Sequence, residues 1–566
     1  MNADLLTLTT PSSLLAGGML LVCVVLLFWR KKLHDSVARI LHMLPLLGCI
    51  VHGIAYYMGI QEHTALRWFG LMYVLGVLIA LWQFIGKRTV FYRIAAVIMV
   101  GCSLWNYIYM PVEADVPMCL HNYTYKGWTD SFISTVRAME KEYPISDWKG
   151  IDYDALLEEF VPQIQEAEDC NDLFGYGMLL NDYCNRFYDG HVYAMPGGRE
   201  LMFSTRFALM GNDYGLSLIT LDSGEVVAVE VEPGSEAEES GIHLGTVVTA
   251  WDGVAVNEAK NSVKLPTVPP AKENEEPLRS ILLAGQGGES VSVTFITDLG
   301  EEKTVTLKCI DDYLFRYLIT YSKFCCQTSK LKNYSYKMVS DTCGYLQIFD
   351  ETMTFWEKVS IPFTGQAHSV MKKVDRILED LRAQGMTELI IDIRNNTGGS
   401  PYVCTAVASL FAEESFEYTY MECTRDDDGK IQKKYPLVIH QNGKWKDLSV
   451  VVLANQKTVS AGDIMAELLS MFPNVTLMGL TTSIGSCQAP GGLSVLSGGE
   501  ILVFYPVVLS ADRDGNPMID TDTSRESRVH LEVEIPLDAV AIETLFGEKH
   551  QDYELEYAMN WLLNQP

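Results

Sequence analysis

The sequence predicts a multi-domain chain with a four-helix transmembrane region, a helical segment, an all-β segment and an α/β core. Four apolar stretches near the N-terminus, each close to the ~20 residues that cross a bilayer core, predict the first part. Short apolar runs that alternate with amphipathic helical patterns predict the α/β core. The predicted boundaries are 1–111, 112–205, 206–312 and 313–566.

The four apolar stretches predict a multi-pass protein of the cell membrane. They run over Ser13–Trp29, Ile40–Ile60, Trp68–Ile85 and Val90–Met110. Eight basic and three acidic residues occur up to Pro111, and the basic ones concentrate in the first and third loops. Because basic loops stay in the cytoplasm, everything after Pro111 is expected to be extracytoplasmic, with the lipid bilayer contacted through the four helices.

Charge and cysteine content exclude several function classes. The chain beyond Pro111 has a net charge of −34, which disfavours a nucleic-acid partner. The 13 cysteines are scattered without the spacing of zinc ligands or of a disulfide framework. No metal and no organic cofactor is therefore expected.

Helical spacing of apolar residues predicts three helices after the membrane region. They cover Trp128–Tyr143, Tyr153–Ala167 and Asn171–Tyr188, with Asp152 or Asp154 as a possible cap of the second. His191 follows in a turn before a short strand. It is either a solvent-exposed turn residue or a candidate base.

Turn glycines surround a brief helix in the β segment, and strands are predicted at Ser290–Ile296 and Lys303–Lys308. The pattern from Gly234 to Gly253 resembles a PDZ domain, which implies a groove beside that brief helix for an extended peptide. The usual Gly-Asp pair is Gly245-Thr246 here. The Pro-rich stretch Leu265–Pro277 predicts a loop.

The α/β core is predicted from an amphipathic helix, Met371–Gln384, and from three buried strands. The strands are Glu388–Ile393, Ser449–Leu453 and Val475–Gly479. Active sites of open α/β sheets form beyond the carboxyl ends of such strands. Two of these ends carry unusual residues: the glycines Gly398 and Gly399 after the first, and Ser460 after the second.

Ser460 opens a predicted helix, Ala461–Met471, and two interpretations of its hydroxyl stand side by side. The hydroxyl is either an N-cap or a nucleophile whose negatively charged intermediate the helix N-terminus stabilises. In the second case, the backbone N–H of Ala461 and that of Gly398 or Gly399 would form an oxyanion hole.

Three motifs in order resemble the C-terminal processing and tricorn-core serine peptidases. They are Asp392-Ile393-Arg394-Asn395-Asn396-Thr397-Gly398-Gly399, Val459-Ser460-Ala461-Gly462-Asp463, and Gly479 through Gln488. The resemblance covers about Thr124–Ala541 and implies a serine peptidase with a PDZ insert, a ClpP/crotonase-like core and Ser460 as nucleophile.

One departure bears on the mechanism that the resemblance implies. The processing branch uses a lysine shortly after the third motif, whereas no lysine occurs between Lys457 and Lys549. The tricorn-like branch uses a histidine of the helical lead-in, which His191 matches. That branch adds a late carboxylate that orients the site. Asp520 lies near the matching position, and Asp522 and Glu526 are alternatives.

Two functions therefore follow from the sequence. The first is an active peptidase that cleaves peptides or unfolded protein tails outside the cytoplasm. The second is a catalytically inactive scaffold or sensor whose PDZ-type groove binds protein tails. Asp463 in place of the family's usual glutamate fits either function. A close approach of His191 to Ser460 would favour the first.

Overall fold

The computed structural model describes most of the chain beyond residue 118, with short gaps. The described residues are 119–195, 209–265, 275–326, 333–358, 361–425, 431–432, 435–498, 501–520, 529–548 and 551–564.

The first described part is a helical lead-in between two short strands. Its elements are β1 (Cys119–Asn122), α1 (Trp128–Glu142), α2 (Ser146–Lys149), α3 (Tyr153–Asp169), α4 (Leu173–Asn185) and β2 (Tyr193–Met195). The three predicted helices are confirmed. Asp152 is the cap of α3, since its carboxylate accepts the Ala155 N–H at 2.9 Å. Phe132 and Phe160 pack edge-on against Tyr183 and hold these helices together.

A β domain follows. Its elements are β3 (Asn212–Asp213), β4 (Ser217–Thr220), β5 (Val226–Val229), α5 (Glu236–Glu239), β6 (Val247–Trp251), β7 (Val254–Ala255), α6 (Val256–Asn261), α7 (Glu275–Leu283), β8 (Ser290–Ile296) and β9 (Glu302–Lys308). The sheet order is β4-β5-β6-β8-β9, so β4 is an edge strand.

The structure corrects two predictions for this domain. Helix α7 begins inside the stretch predicted as a loop, because Leu278, Ile281 and Leu282 are buried at helical spacing and Pro277 is tolerated in a first turn. Helix α7 also packs beside the edge strand β4. The brief helix α5, which was predicted to border the peptide groove, instead contacts β9 at the opposite edge of the sheet, where Glu236 accepts the Lys308 N–H.

The remaining elements build the α/β core. They are β10 (Asp311–Asp312), α8 (Leu314–Phe324), β11 (Tyr334–Met338), β12 (Cys343–Ile348), α9 (Phe355–Lys358), α10 (Ile361–Thr364), α11 (His368–Ala383), β13 (Glu388–Asp392), α12 (Pro401–Ser409), β14 (Phe416–Arg425), β15 (Ile431–Gln432), β16 (Tyr435–Ile439), β17 (Ser449–Leu453), α13 (Ala461–Ser470), β18 (Val475–Gly479), β19 (Ala489–Val495), β20 (Leu502–Ala511), β21 (Val533–Glu534), α14 (Ala539–Phe546) and α15 (Tyr553–Leu563).

A six-stranded sheet in the order β11-β12-β13-β17-β18-β21 forms the centre of the core. All of its pairings are parallel except β11 with β12. The interiors of β13 and β17 are apolar and buried because both faces of the sheet are covered. Asp392 at the end of β13 is in register with Leu453 at the end of β17, so the segments that follow these strands emerge side by side.

A second sheet joins the helical lead-in to the core. Its order is β1-β19-β20-β14-β15, with β16 also paired to β14 and β2 paired to β20. Tyr193 in β2 is opposite Phe504 in β20, and their rings stack at 4.9 Å. This pairing fixes the turn before β2, which contains His191, against the core.

The predicted fold class is wrong in its transmembrane part. Across the portion of the chain that the structure describes, no helix combines the length and the apolar character needed to cross a membrane. Even α3, with 17 residues, buries only one face and carries charged residues on the other. The architecture is an α/β fold with sheets. The four predicted spans, Ser13 to Met110, lie outside the described residues.

Candidate active site

Ser460 lies between β17 and α13 in a backbone conformation that non-glycine residues rarely adopt. Its φ is 63° and its ψ is −120°, and strain of this kind costs ~1–3 kcal/mol and clusters at functional sites. The turn is held by Thr458, whose hydroxyl donates to Ile393 O at 2.8 Å. The half-buried Ser460 makes no side-chain capping hydrogen bond to the described helix α13. The geometry therefore favours the nucleophile over the N-cap interpretation.

The glycine turn after β13 passes directly beside Ser460. Gly398 has a φ of 82° and Gly399 a φ of 152°, in the region that glycine adopts without a Cβ penalty. A Cβ on Gly398 would lie 2.7 Å from Ser460 Cβ, and a Cβ on Gly399 would lie 2.6 Å from the Glu351 carbonyl carbon. The two glycines thus let the backbone approach the candidate nucleophile more closely than any other residue would.

The three predicted oxyanion donors are not equivalent in the structure. The Gly398 N–H already donates to Asn396 Oδ1 at 2.8 Å. Ala461 opens α13, where the first N–H groups of a helix have no partner inside the helix. The geometry therefore favours Gly399 and Ala461 over Gly398 as the donor pair.

The two loops around Ser460 are fixed by one carbonyl and one buried arginine. Cys325 O, at the end of α8, accepts from Asn395 Nδ2 at 3.0 Å and from Asn455 Nδ2 at 3.1 Å. Arg394, only 2% exposed, donates to Asp552 at the start of α15 at 2.7 Å. These contacts anchor the polar residues of the first motif and prepare the site before any substrate arrives.

His191 is brought to the Ser460 turn through Ser486. His191 Nδ1 lies 3.2 Å from Ser486 Oγ, and the Ser460 N–H donates to Ser486 O at 3.2 Å. Gly190 packs against the same segment, since a Cβ there would meet Ile484 at 2.7 Å. Burial lowers the pKa of His191, and the nearby Asp189 partly opposes that shift. A half-buried, neutral imidazole at pH 7 is suited to accept a proton.

Asp463 of the second motif holds the backbone of the segment that contains Ser486. Its buried carboxylate accepts the Gly485 N–H at 2.8 Å and the Ser486 N–H at 3.2 Å. Burial raises the pKa of Asp463 to about 6, and these donors partly offset the effect. The aspartate therefore makes backbone contacts that fix the segment between Ser460 and His191.

Asp520, the predicted orienting carboxylate, forms a buried ion pair with Lys149 in which both side chains are 2% exposed. Its catalytic role stays a prediction, and the alternatives Asp522 and Glu526 lie outside the described residues. The position of Lys457 does not favour it as the base, because its ammonium lies over the Tyr321 ring, 5.0 Å from the ring centre. Among the described residues, no cluster of three or more His, Cys, Asp or Glu side chains is arranged for a metal ion.

Sequence reasoning did not assign a function to Ser486, Asp189 or Lys149. Ser486 lies inside the third motif, Gly479 through Gln488, and its place in that motif was the available signal for it. Asp189 lies two residues before His191 and is 1% exposed. Lys149 had no sequence signal, because only the fold brings it to Asp520.

Comparison with known proteins gives one family match and several solved structures of similar fold. Residues 343–504 match the model of Peptidase family S41, while no curated protein sequence matches. A crystal structure of a CPAF mutant has 13% identity and a TM-score of 0.50, covering 78% of this chain and 98% of that one. That likeness shows a shared fold.

Two further solved structures are similar at lower scores. The photosystem II D1 C-terminal processing protease has 18% identity and a TM-score of 0.34, covering 75% of this chain and 98% of that one. The tricorn protease has 16% identity and a TM-score of 0.32, covering 77% of this chain and 37% of that one. The family match over residues 343–504 supports a serine-type peptidase, and the predicted enzyme class is confirmed.

Proposed function

We propose that the chain hydrolyses peptide bonds in peptides or unfolded protein tails, with Ser460 as nucleophile and His191 as general base. Ser460 Oγ would attack the scissile carbonyl while His191 takes its proton and then delivers it to the leaving amine. Water would release the acyl group by the same proton transfers in reverse. No metal or organic cofactor takes part in this scheme.

One observation carries the proposal: Ser486 contacts both halves of the pair. Its carbonyl accepts the Ser460 N–H, and its hydroxyl lies 3.2 Å from His191 Nδ1. The two residues come from different parts of the chain, and β2 fixes one while α13 fixes the other. A shared rigid contact of this kind supports a nucleophile and base held in one site.

The Ala461 and Gly399 N–H groups would donate to the negatively charged oxygen of the tetrahedral intermediate. Ala461 is 2% exposed at the start of the ten-residue helix α13, where the helix dipole favours an anion. Donors that are fixed before the reaction cost no reorganisation during it. The strained Ser460 backbone supports a functional site at this helix start, because strain of this kind clusters at functional sites.

The β domain supports the PDZ-like assignment in its strand order, yet its groove favours peptidase over scaffold. A bound peptide would lie between the edge strand β4 and helix α7. Tyr313 lies there instead, with its hydroxyl 2.5 Å from Ser217 Oγ in β4 and donating to Ile281 O in α7 at 2.8 Å. Tyr313 is fully buried. The scaffold function would require this side chain to leave.

The extracytoplasmic location of the peptidase rests on residues 1–111, which lie outside the described residues, and it stays a prediction. The described part of the chain does not support the predicted contact with the bilayer through four helices. Neither point alters the chemistry proposed for Ser460 and His191.

The test is proteolysis of an unfolded protein, such as denatured casein, by the purified full-length chain. Wild type is expected to generate new N-termini detectable by mass spectrometry, whereas Ser460→Ala and His191→Ala should not. Lys457→Ala serves as the control variant, because Lys457 is near in sequence but directed to Tyr321. Cleavage that persists in Ser460→Ala would refute the proposal.

A further inference from the structure

Asp189 is a buried carboxylate surrounded by hydrogen-bond donors. Its Oδ1 accepts the His191 backbone N–H at 2.8 Å and the Ser486 hydroxyl at 2.5 Å. Its Oδ2 accepts the Tyr143 hydroxyl at 2.7 Å. Three donors converge on one side chain that is 1% exposed, and both of its oxygens serve as acceptors to these donors.

Proton counting then fixes the imidazole of His191. The Ser486 hydroxyl has a single hydrogen, which Asp189 receives. Ser486 Oγ can therefore only accept from His191 Nδ1, 3.2 Å away, and Nδ1 must carry the proton. In this tautomer, Nε2 has the free lone pair that a general base needs.

We propose that Ser486 and Asp189 are positioning residues that hold His191 in the Nδ1–H tautomer, with the serine hydroxyl relaying the carboxylate's effect to the ring. The inference rests on the proposed function and deepens it. The carboxylate that orients the base would then be Asp189, which reaches the imidazole through Ser486. Asp520 is engaged by Lys149 instead.

The local architecture makes the Ser486 hydroxyl separable from its backbone. Asp463 fixes the Ser486 N–H, and the Ser460 N–H fixes the Ser486 carbonyl. Ser486→Ala removes one oxygen and leaves those contacts in place. The His191 backbone likewise keeps its bond to Asp189. Loss of function in this variant would report on the imidazole.

Asp189→Asn makes the opposite change. The introduced side-chain amide can donate to Ser486 Oγ, so the serine hydroxyl would turn and donate to His191 Nδ1. That arrangement stabilises the wrong tautomer, whose Nε2 carries the proton. Ser486→Ala breaks the link and frees the ring, so it should partly rescue Asp189→Asn. A purely structural contribution of the two side chains would instead give losses that multiply.

The experiment measures the labelling rate of the full-length chain with a fluorophosphonate probe as a function of concentration and pH. Ser486→Ala is expected to lower the maximal rate about 10- to 100-fold, with half-saturation unchanged. Asp189→Asn should lower it by about 10⁴-fold, as for an inverted tautomer, and the double variant should react faster than Asp189→Asn. Removal of the negative charge should also move the acidic limb of the Asp189→Asn profile to lower pH.

Two outcomes would overturn the inference: a wild-type maximal rate in Ser486→Ala, or losses that multiply in the double variant. Circular dichroism checks that each variant is folded, and Ser486→Ala alone decides the matter if Asp189→Asn is not. Failure of the proposed function looks different, because the folded wild type would then take up no probe, or labelling would persist in Ser460→Ala and His191→Ala. If Ser486→Ala reacts at the wild-type rate while Ser460→Ala and His191→Ala do not react, the inference about Ser486 and Asp189 fails and the proposed function stands.

Discussion

Replacing Gly398 by alanine is expected to destabilise the protein and inactivate it through a clash with the Ser460 turn. A Cβ at this position would lie 2.7 Å from Ser460 Cβ, 2.8 Å from Val459 O and 3.1 Å from Ala461 N. Two of these atoms belong to the backbone and cannot rotate away. The glycine also has a φ of 82°, which an alanine adopts only with strain.

Both penalties have an expected size. The left-handed backbone costs about 1–2 kcal/mol for a residue with a Cβ, and overpacking of a well-packed site adds about 1–3 kcal/mol. Gly398→Ala should therefore lower the free energy of unfolding by about 2–5 kcal/mol. Because the shift also displaces Ser460, peptidase activity should fall by about 10²-fold or more.

Gly224→Ala is the matched control. Gly224 has a φ of 83° and nothing within 4 Å of an added Cβ. Its free energy of unfolding should therefore fall only by the cost of the left-handed backbone, and activity should be unchanged. Urea denaturation followed by tryptophan fluorescence measures both variants. Equal destabilisation of the two, with activity retained in Gly398→Ala, would refute the reasoning about the close approach.

Three further outcomes are expected. Ser460→Gly and Ser460→Ala should both be inactive in hydrolysis of unfolded casein. The glycine variant should be about 1 kcal/mol more stable than the alanine variant in urea denaturation, because glycine adopts a φ of 63° without strain. A more stable alanine variant would contradict backbone strain at Ser460. Burial lowers the pKa of His191, so kcat/KM should be lost only as the pH falls below about 6.5; an acidic limb centred above pH 7 would contradict this assignment. Asp520→Asn removes the negative charge from the buried ion pair with Lys149 and should lower the free energy of unfolding by about 3 kcal/mol in urea denaturation. Lys149→Met with Asp520→Leu should recover most of that loss. A stable but inactive Asp520→Asn would instead support the predicted catalytic role.

Sequence periodicity predicted the core well because buried parallel strands have a simple signature. The strands Ser449–Leu453 and Val475–Gly479 were predicted to the residue. Their apolar runs end in polar turns, and parallel strands bring those turns to one edge. The proximity of Gly398 and Ser460 follows directly from that rule.

Other features depend on contacts between distant segments, which no local pattern records. The Ser486 hydroxyl meets Asp189 and His191 only because β2 pairs with β20. Helix α7 was missed because its Pro-rich start resembles a loop, although its apolar face packs against β4. The position of Tyr313 beside β4 could not be predicted either, because only the tertiary fold brings it between Ser217 and Ile281.

The apolar stretches of residues 1–111 led to a transmembrane region in the predicted fold class, which the described part of the chain does not contain. Length and hydropathy match a bilayer core, but these quantities measure only the tendency of a segment to leave water. The described helices satisfy that tendency by burying one face in a protein core, as α3 does with Phe160 and Ile164.

The most direct test of the account is to label the purified full-length protein with a fluorophosphonate probe and to locate the adduct by mass spectrometry. The account predicts a single adduct on Ser460, which is lost in Ser460→Ala and strongly reduced in His191→Ala. A folded wild-type protein that takes up no probe would contradict an activated serine and favour the binding scaffold. Labelling of Ser460 at an unchanged rate in His191→Ala would contradict the histidine base.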